Sequence, residues 1–479
     1  GALEAAALSA LRRFAPSEAL EHARAGLRAV ATLAPGDDRD RAELTFQMLA
    51  GQALVASEGF SCGEAESAQA RALELARSLG DEVAEARALF ALGSMYEVQG
   101  HYEESERMLD ASLALPEGVS GSKPIADVHE VLACSLFHQG RFESAIEQAE
   151  HGLSALTETP NEVTASYGDS PGPACHAWAA VSLWFLGQPD AALERAREAA
   201  VLSAVPQYQS GRAFALAQAA LVTQLRREPE ATLDWAEAGR LSAEERGYRF
   251  RVGMADVLRG WALAVLGDAE RGIAAIRSGL ETYNATGAHM DDSYFLGLLA
   301  EALAKAGADA EALATVENAL GRVARTYYYE PELLRLRGEL LRRLGREEEA
   351  EESVRRALAR AGEMASLSLE LRAAVDVARQ LADGGDRAGA AELLRSVRGR
   401  FTEGFATVDM RAAEALLAEL GERVEPVVAS PGGPARPAIR YARSNDLSIA
   451  YQVTGAGSPD IVLVPGFTSH LEKDWEEPR

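Results

Sequence analysis

Ten times in succession, at intervals of roughly 40 residues, this chain sets small side chains at the same three offsets from a recurring reference position. The reference positions are Phe14, Phe60, Gly100, Gly140, Gly187, Arg227, Gly267, Gly307, Gly345 and Gly385. Seven residues before them stand Ala7, Ala53, Gly93, Ala133, Ala180, Ala220, Gly260, Ala300, Gly338 and Ala378, which are Gly or Ala every time. Five residues after them stand Ala19, Ala65, Ser105, Ala145, Ala192, Thr232, Gly272, Ala312, Ala350 and Ala390. Twelve after them come Gly26, Ala72, Ser112, Gly152, Ala199, Gly239, Gly279, Ala319 and Ala357, with Val397 the bulky exception. A ladder of this kind is one supersecondary unit repeated, each copy too small to bury its apolar face alone and therefore stacked on its neighbours.

Within one unit, apolar residues recur at helical spacing in Val83–Gln99 and again in Glu103–Leu115, and the glycine between them supplies the left-handed conformation that ends a helix. The fold class expected is therefore all-α, an array of about ten antiparallel helix pairs covering Ala2–Leu420. Gly, Ala, Ser and Thr at helix-interior spacing mark places where backbones approach closely; glycine alone would mark only turns.

Leu92-Gly93, Tyr96, Gly100, Tyr102, Ser105, Leu109 and Ser112 resemble the tetratricopeptide repeat, whose leucine-glycine, tyrosine and small positions fall at matching offsets. The period is longer than the usual ~34 residues, so the resemblance is to the long-helix, MalT-like variant found in sensor regions of bacterial signalling ATPases. HEAT and armadillo repeats share the length but not that spacing. The resemblance implies a right-handed superhelical solenoid. Four further segments, Tyr167–Gly172, Phe185–Asp190, Leu333–Leu340 and Phe401–Phe405, resemble the repeat region that follows the ATPase module in large bacterial proteins carrying class III nucleotidyl cyclases. Neither catalytic module is present in this sequence.

Composition agrees with an extended helical array: 47% of residues are hydrophobic and only 6% aromatic. No run of about 20 apolar residues occurs, so no membrane span is expected, and no secretory signal opens the chain. Cys62, Cys134 and Cys175 are odd in number and scattered, as expected of free thiols in a reducing cytoplasm. The formal net charge of −25 repels a phosphate backbone, which argues against nucleic acid as a partner. Clusters such as Glu347-Glu348-Glu349 read as solvated helix face.

Pro426, Pro431, Gly432, Gly433, Pro434 and Pro437 end the helical pattern after a capping helix near Met410–Leu420, because proline cannot continue a helix. The domain reading is a solenoid over 1–424, a linker over 425–438 and a different module over 439–479. In that module the period changes to two at Ile439 and Tyr441 and at Leu447, Ile449, Tyr451 and Val453, and Ile461–Val464 reads as a buried strand. Arg440–Ser444, Ile449–Gln452, Val462–Phe467 and Ser469–Glu472 resemble the opening strands of the α/β-hydrolase domains fused to bacterial cyclases. The resemblance implies a β-rich fragment and an oxyanion-loop remnant at Gly466 and Phe467, although Pro465 replaces the usual histidine. Its nucleophile, acid and histidine would lie downstream, so these residues alone are not expected to catalyse. The chain begins without Met and stops inside this module. Two alternatives stand, a product that continues beyond Arg479 or a relic.

Other chemistry is thin. Gly168-Asp169-Ser170-Pro171-Gly172 matches G-x-S-x-G, but an elbow needs a buried strand before it, and polar Asn161–Tyr167 is not one. Gly118–Lys123 has the wrong spacing for a phosphate loop. The eight histidines are dispersed, and Cys175-His176 lacks the ligand set of structural zinc. The expectation is no catalytic residue, no metal and no cofactor.

The candidate binding residues are Tyr167, Tyr208, Tyr248, His289 and Tyr327, which recur near the start of successive first helices. Two readings are open. They line a concave groove between about Tyr208 and Tyr329 that binds a protein or peptide segment or a small effector, or they staple each helix onto the preceding repeat. Correspondingly, the chain is either an interaction and sensor scaffold, in contact with ATPase or cyclase modules of the same polypeptide, or a structural arm of a multidomain cyclase or hydrolase.

Overall fold

The computed structural model describes residues 1–13, 15–115, 125–158, 170–205, 208, 211–322 and 327–422, together with the backbone of 440–444 and 447–451. It divides into two units, Gly1–Arg423 and Val424–Arg479.

The described residues of the first unit form ten helix pairs. They are α1 (Ala2–Arg12) with α2 (Pro16–Val30), α3 (Asp37–Glu58) with α4 (Gly63–Leu79), α5 (Glu82–Gln99) with α6 (Tyr102–Leu113), and α7 (Ile125–His138) with α8 (Phe142–Glu158). The middle pairs are α9 (Pro171–Phe185) with α10 (Pro189–Leu202), α11 (Arg212–Leu225) with α12 (Pro229–Glu244), and α13 (Arg249–Val265) with α14 (Ala269–Asn284). The last three are α15 (Asp292–Lys305) with α16 (Asp309–Leu320), α17 (Glu330–Arg343) with α18 (Glu347–Glu363), and α19 (Leu367–Asp383) with α20 (Arg387–Arg398). A single helix, α21 (Val408–Glu419), follows and covers the end.

Local chemistry explains the boundaries. Proline opens α2, α9, α10 and α12, where its missing N–H and fixed φ fit the first turn. Asp81, Asp268, Asp386 and Thr407 accept hydrogen bonds from the first-turn amides of α5, α14, α20 and α21. Within seven pairs the reference glycine has positive φ, between 75° at Gly140 and Gly345 and 106° at Gly267. Arg227 holds the same conformation at φ 63° without being glycine, a cost of roughly 1 kcal/mol that asks for a local reason.

The small columns are buried, as their spacing predicts. The closest approach is between α13 and α14. A Cβ added to Gly260 would lie 2.6 Å from the Gly272 carbonyl oxygen, and one added to Gly272 would lie 2.5 Å from that of Gly260. Gly253 and Gly279 repeat the contact one heptad along, at 2.7 and 2.8 Å. The two backbones touch at both levels.

Successive pairs wind until elements about five pairs apart meet, which the ladder alone does not state. Ser61 Oγ donates to the Gly287 carbonyl at 2.9 Å, and the His289 amide reaches the Val98 carbonyl at 3.4 Å. Ser366 and Ser368 donate to Phe185 and Trp184 carbonyls. Glu403 accepts from the Asp190 and Ala191 amides, both at 2.9 Å, while the Gly404 amide donates to Asp190 Oδ2 at 2.9 Å. Glu403 thus caps α10 from 213 residues away. Glu403→Ala should cost about 1 kcal/mol, as lost N-caps do; chemical denaturation of the variant checks it, and an unchanged midpoint would show that the contact adds nothing.

Where the turns meet, the interior is aromatic. Phe137, Phe142, Trp178, Phe185 and Tyr328 form one group, with ring centroids 4.7 Å apart for the stacked Phe142 and Phe185 and 4.5 Å apart for Phe137 and Tyr328, whose rings are tilted by 39°.

Ser170 is the buried N-cap residue of α9, with a helix after it and no strand among the described residues before it. In the second unit the backbone of β1 (Arg440–Ser444) pairs antiparallel with β2 (Leu447–Tyr451), Tyr441 opposite Ala450. One two-stranded ladder does not distinguish an α/β-hydrolase from any other hairpin. Gly466, Phe467 and the 425–438 linker lie outside the described residues.

Candidate functional site

First helices of the last pairs line a cavity of about 430 Å³, within the range of ligand sites. Trp261 and Val265 come from α13, Ala300, Glu301 and Lys305 from α15, and Arg335, Leu336, Glu339, Leu340 and Arg343 from α17. Arg372, Val375, Asp376 and Arg379 come from α19, Val408, Asp409 and Ala412 from α21 and its start, and Arg227 from the turn after α11. The repeat period places them together: Trp261 Nε1 donates to Glu301 from 40 residues away, Arg335 to Asp376 from 41, and Arg372 to Asp409 from 37.

Three of the lining arginines, Arg227, Arg335 and Arg372, belong to a buried ion network centred on Glu332, whose side chain is 1% exposed. Arg227 Nη2 donates to it at 2.8 Å and Arg335 Nη2 at 2.9 Å, and Arg372 Nη1 stands 3.7 Å away. Burial alone would push the Glu332 carboxyl up, but Arg335, Arg372 and Arg227 outweigh it and hold the group well below the usual carboxylate range. Burial likewise opposes the charge on Arg227, and Glu301 and Glu332 more than restore it. Arg227 also donates to Glu301 and lies over the Trp261 ring at 5.9 Å. Here is the reason for an arginine in a glycine conformation: from that turn its fork reaches the part-buried carboxylate of Glu301 on α15 and the buried one of Glu332 on α17.

The cavity holds six cationic side chains against four carboxylates, in a chain of net charge −25. Two buried polar atoms in its wall have no hydrogen-bond partner among the described residues, Arg372 Nη1 and Glu301 Oε1. Lys305, at the rim, is exposed and has no ion-pair partner among them.

None of Tyr208, Tyr248, His289 and Tyr327 lines this cavity. Tyr208 is half-buried ahead of α11, Tyr248 is the N-cap residue of α13, and Tyr327 opens a short 3-10 turn before α17. His289 is engaged by Asp292 Oδ2 at 3.1 Å and through its backbone by Val98. Tyr167 lies outside the described residues. The periodicity selects the starts of first helices, whereas most of the cavity lies along their later turns. Tyr329, the expected far edge of the groove, is fully buried. Charged residues one repeat apart are the signal for the cavity in the sequence, and the tyrosine register marks the helix starts instead.

A second polar cluster is enclosed where α5, α7 and the start of α15 meet. Cys134 Sγ lies 2.6 Å from Glu97 Oε1 and 3.5 Å from His138 Nδ1, and His138 Nε2 lies 3.3 Å from Asp291 Oδ1. Tyr328 donates to the same Asp291 oxygen at 3.0 Å. Burial pushes the Glu97 carboxyl up to about 7 against the opposing pull of His138, and burial with the Glu97 charge raises the Cys134 thiol. Burial lowers His138, but the hydrogen bond and charge of Asp291 raise it further. Read along the chain these residues are dispersed; stacking of adjacent repeats brings Glu97 to Cys134 across 37 residues.

Among solved structures, a Rap protein complexed with competence and sporulation factor is similar to this chain with a TM-score of 0.54 at 13% identity, over 76% of this chain and 98% of that one. The fold is a tetratricopeptide-like helical-repeat solenoid. A Rap conjugation gene regulator of plasmid pLS20 in complex with the Phr* peptide has a TM-score of 0.49 at 11% identity, over 76% and 94% of the two chains. A signal transduction ATPase with a tetratricopeptide repeat sensor, from Pyrococcus horikoshii, has a TM-score of 0.42 at 15% identity, over 79% of this chain and 54% of that one. No protein-family model matches the sequence, and no curated protein matches it either. Among the described residues of the solenoid, no helix is long and apolar enough to cross a membrane.

Proposed function

We propose that this solenoid is a non-catalytic binding scaffold whose cavity takes an extended, carboxylate-bearing peptide or protein segment. The observation that carries the reading is the excess of cationic side chains in a concave, first-helix surface of an otherwise acidic chain, because arginine forks bind carboxylates in pairs of parallel hydrogen bonds. Trp261, Val265, Leu336, Leu340 and Val375 add apolar wall for the segment's side chains. That a Rap protein of similar fold is complexed with competence and sporulation factor supports a ligand in this class of solenoid. Nucleic acid does not fit the overall charge. A small effector bearing a carboxylate would use the same arginines.

The absence of a phosphate loop and of an elbow context for Ser170 in the sequence supports inertness, so the purified chain is expected to turn over neither ATP nor esters. One observation favours the structural-arm reading: all five cavity arginines, Arg227, Arg335, Arg343, Arg372 and Arg379, already have carboxylate partners. Under that reading the surface docks ATPase, cyclase or hydrolase parts of a longer polypeptide, a connection that rests on the sequence resemblances alone.

Selection separates the two. A library of linear peptides panned on the full chain should enrich acidic sequences that are not recovered on a folded Lys305→Glu/Arg379→Glu variant. Enrichment that is the same on both proteins, or none on either, would reject the cavity as a peptide site.

A further inference from the structure

We propose that Glu97, Cys134 and His138 form a buried site for a borderline-soft divalent cation of the zinc class. The three donor atoms lie within 4.8 Å of one another, and all three residues are buried. A thiolate, an imidazole nitrogen and a carboxylate are the donor types zinc takes. The supports are helical: Cys134 and His138 are one turn apart on α7, hence on one face, and Glu97 comes from α5 of the preceding pair.

The geometry is close to what the ion needs. With metal–ligand bonds of about 2.0–2.3 Å, tetrahedral donors stand roughly 3.6 Å apart. Cys134 Sγ to His138 Nδ1 is 3.5 Å, while Cys134 Sγ to Glu97 Oε1, at 2.6 Å, must open by about 1 Å. His138 Nδ1 also lies 2.8 Å from the Cys134 carbonyl oxygen, so binding exchanges that contact for the metal.

Two observations point to a cation beyond the cluster itself. The outer ring nitrogen of His138 faces Asp291, which Tyr328 holds in place; a carboxylate on the far side of a ligating histidine orients the ring and raises its basicity. Second, two carboxylates and a thiol share this enclosed space with one imidazole, the Arg251 charge being the other cation that acts on Glu97, and buried charge short of compensation is costly. A dication bound by thiolate and Glu97 would leave that centre neutral, with two ligand protons released to solvent on binding.

The test uses the full chain. Because no donor residue is exposed, Zn²⁺ or Co²⁺ is supplied during expression or refolding. The expected result is about one equivalent of zinc retained through desalting, a higher unfolding temperature than in chelator-treated protein, and a thiolate-to-cobalt charge-transfer band in the Co²⁺ form. Cys134→Ala should lose the band, and Glu97→Gln should retain it with weakened metal. Cys175→Ala, a buried thiol outside the cluster, should change neither. Wild-type protein that holds no stoichiometric metal and shows no thermal shift overturns the proposal, and so does an undiminished charge-transfer band in folded Cys134→Ala. Should Cys134→Ala fail to fold, the wild-type metal content and cobalt spectrum decide alone.

Discussion

Glu332→Ala should destabilise the solenoid by about 3–5 kcal/mol, the range for removing one partner of a buried ion network. Its carboxylate neutralises Arg227 and Arg335 and faces Arg372. Each of those guanidiniums keeps another contact, Arg227 with Glu301, Arg335 with Asp376, Arg372 with Asp409. None of these replaces the shared centre. Glu332→Leu should do no better than alanine, because the cost comes from the arginines left behind and not from lost volume. The same network has a pH signature. Since the folded carboxyl is held below its ordinary 4.5, its contribution is fully present above that value and is lost as pH falls through the acid range toward the folded value. Wild type should therefore lose stability in acid more steeply than Glu332→Gln. Denaturant unfolding of both proteins at neutral and acid pH checks this; parallel pH curves would show that the network is not coupled to folding.

Gly272→Leu should cost about 3 kcal/mol or more, at the upper end for overpacking. The nearest atoms to an added Cβ are the Gly260 carbonyl oxygen at 2.5 Å and the Ala264 Cβ and amide nitrogen, both at 2.8 Å. Backbone of a packed helix cannot move aside as a flexible side chain can, so α13 and α14 must separate along the seam that Gly253 and Gly279 also form. Glu348→Gln, on the exposed face of α18, should be nearly silent. Thermal unfolding of the two variants side by side makes the comparison; similar midpoints would mean that the columns are tolerant surface and not a packing seam.

How much of this was legible in the sequence follows from what periodicity can carry. Ten helix pairs and a closing helix can be read from the ladder because each column reports a contact within one pair, such as Gly260 with Gly272. Contacts one repeat apart are also implicit, since stacking must bring Arg335 to Asp376 and Glu97 to Cys134. Contacts five pairs apart are not. Glu403 on Asp190, His289 on Val98 and Tyr328 against Phe137 depend on how tightly the pairs wind, a sum of small rotations that no local pattern encodes. That winding decides which first-helix surface stays open. It leaves the charged wall of α13, α15, α17 and α19 accessible and occupies His289 and Tyr329 with packing, so a tyrosine register seen along the chain did not coincide with the cavity.

Fluorescence anisotropy with one labelled acidic peptide from the library selection tests the central claim most directly, measured on wild type, on Lys305→Glu/Arg379→Glu and on Tyr208→Ala/Tyr248→Ala, each shown to be folded. Reversing two cavity charges sets like charge against the ligand, which costs more than about 1.4 kcal/mol and so more than tenfold in affinity, while the tyrosine pair should change affinity by less than about twofold. Affinity lost in the tyrosine variant and kept in the charge-reversed one would contradict the account and return the binding surface to the starts of the first helices.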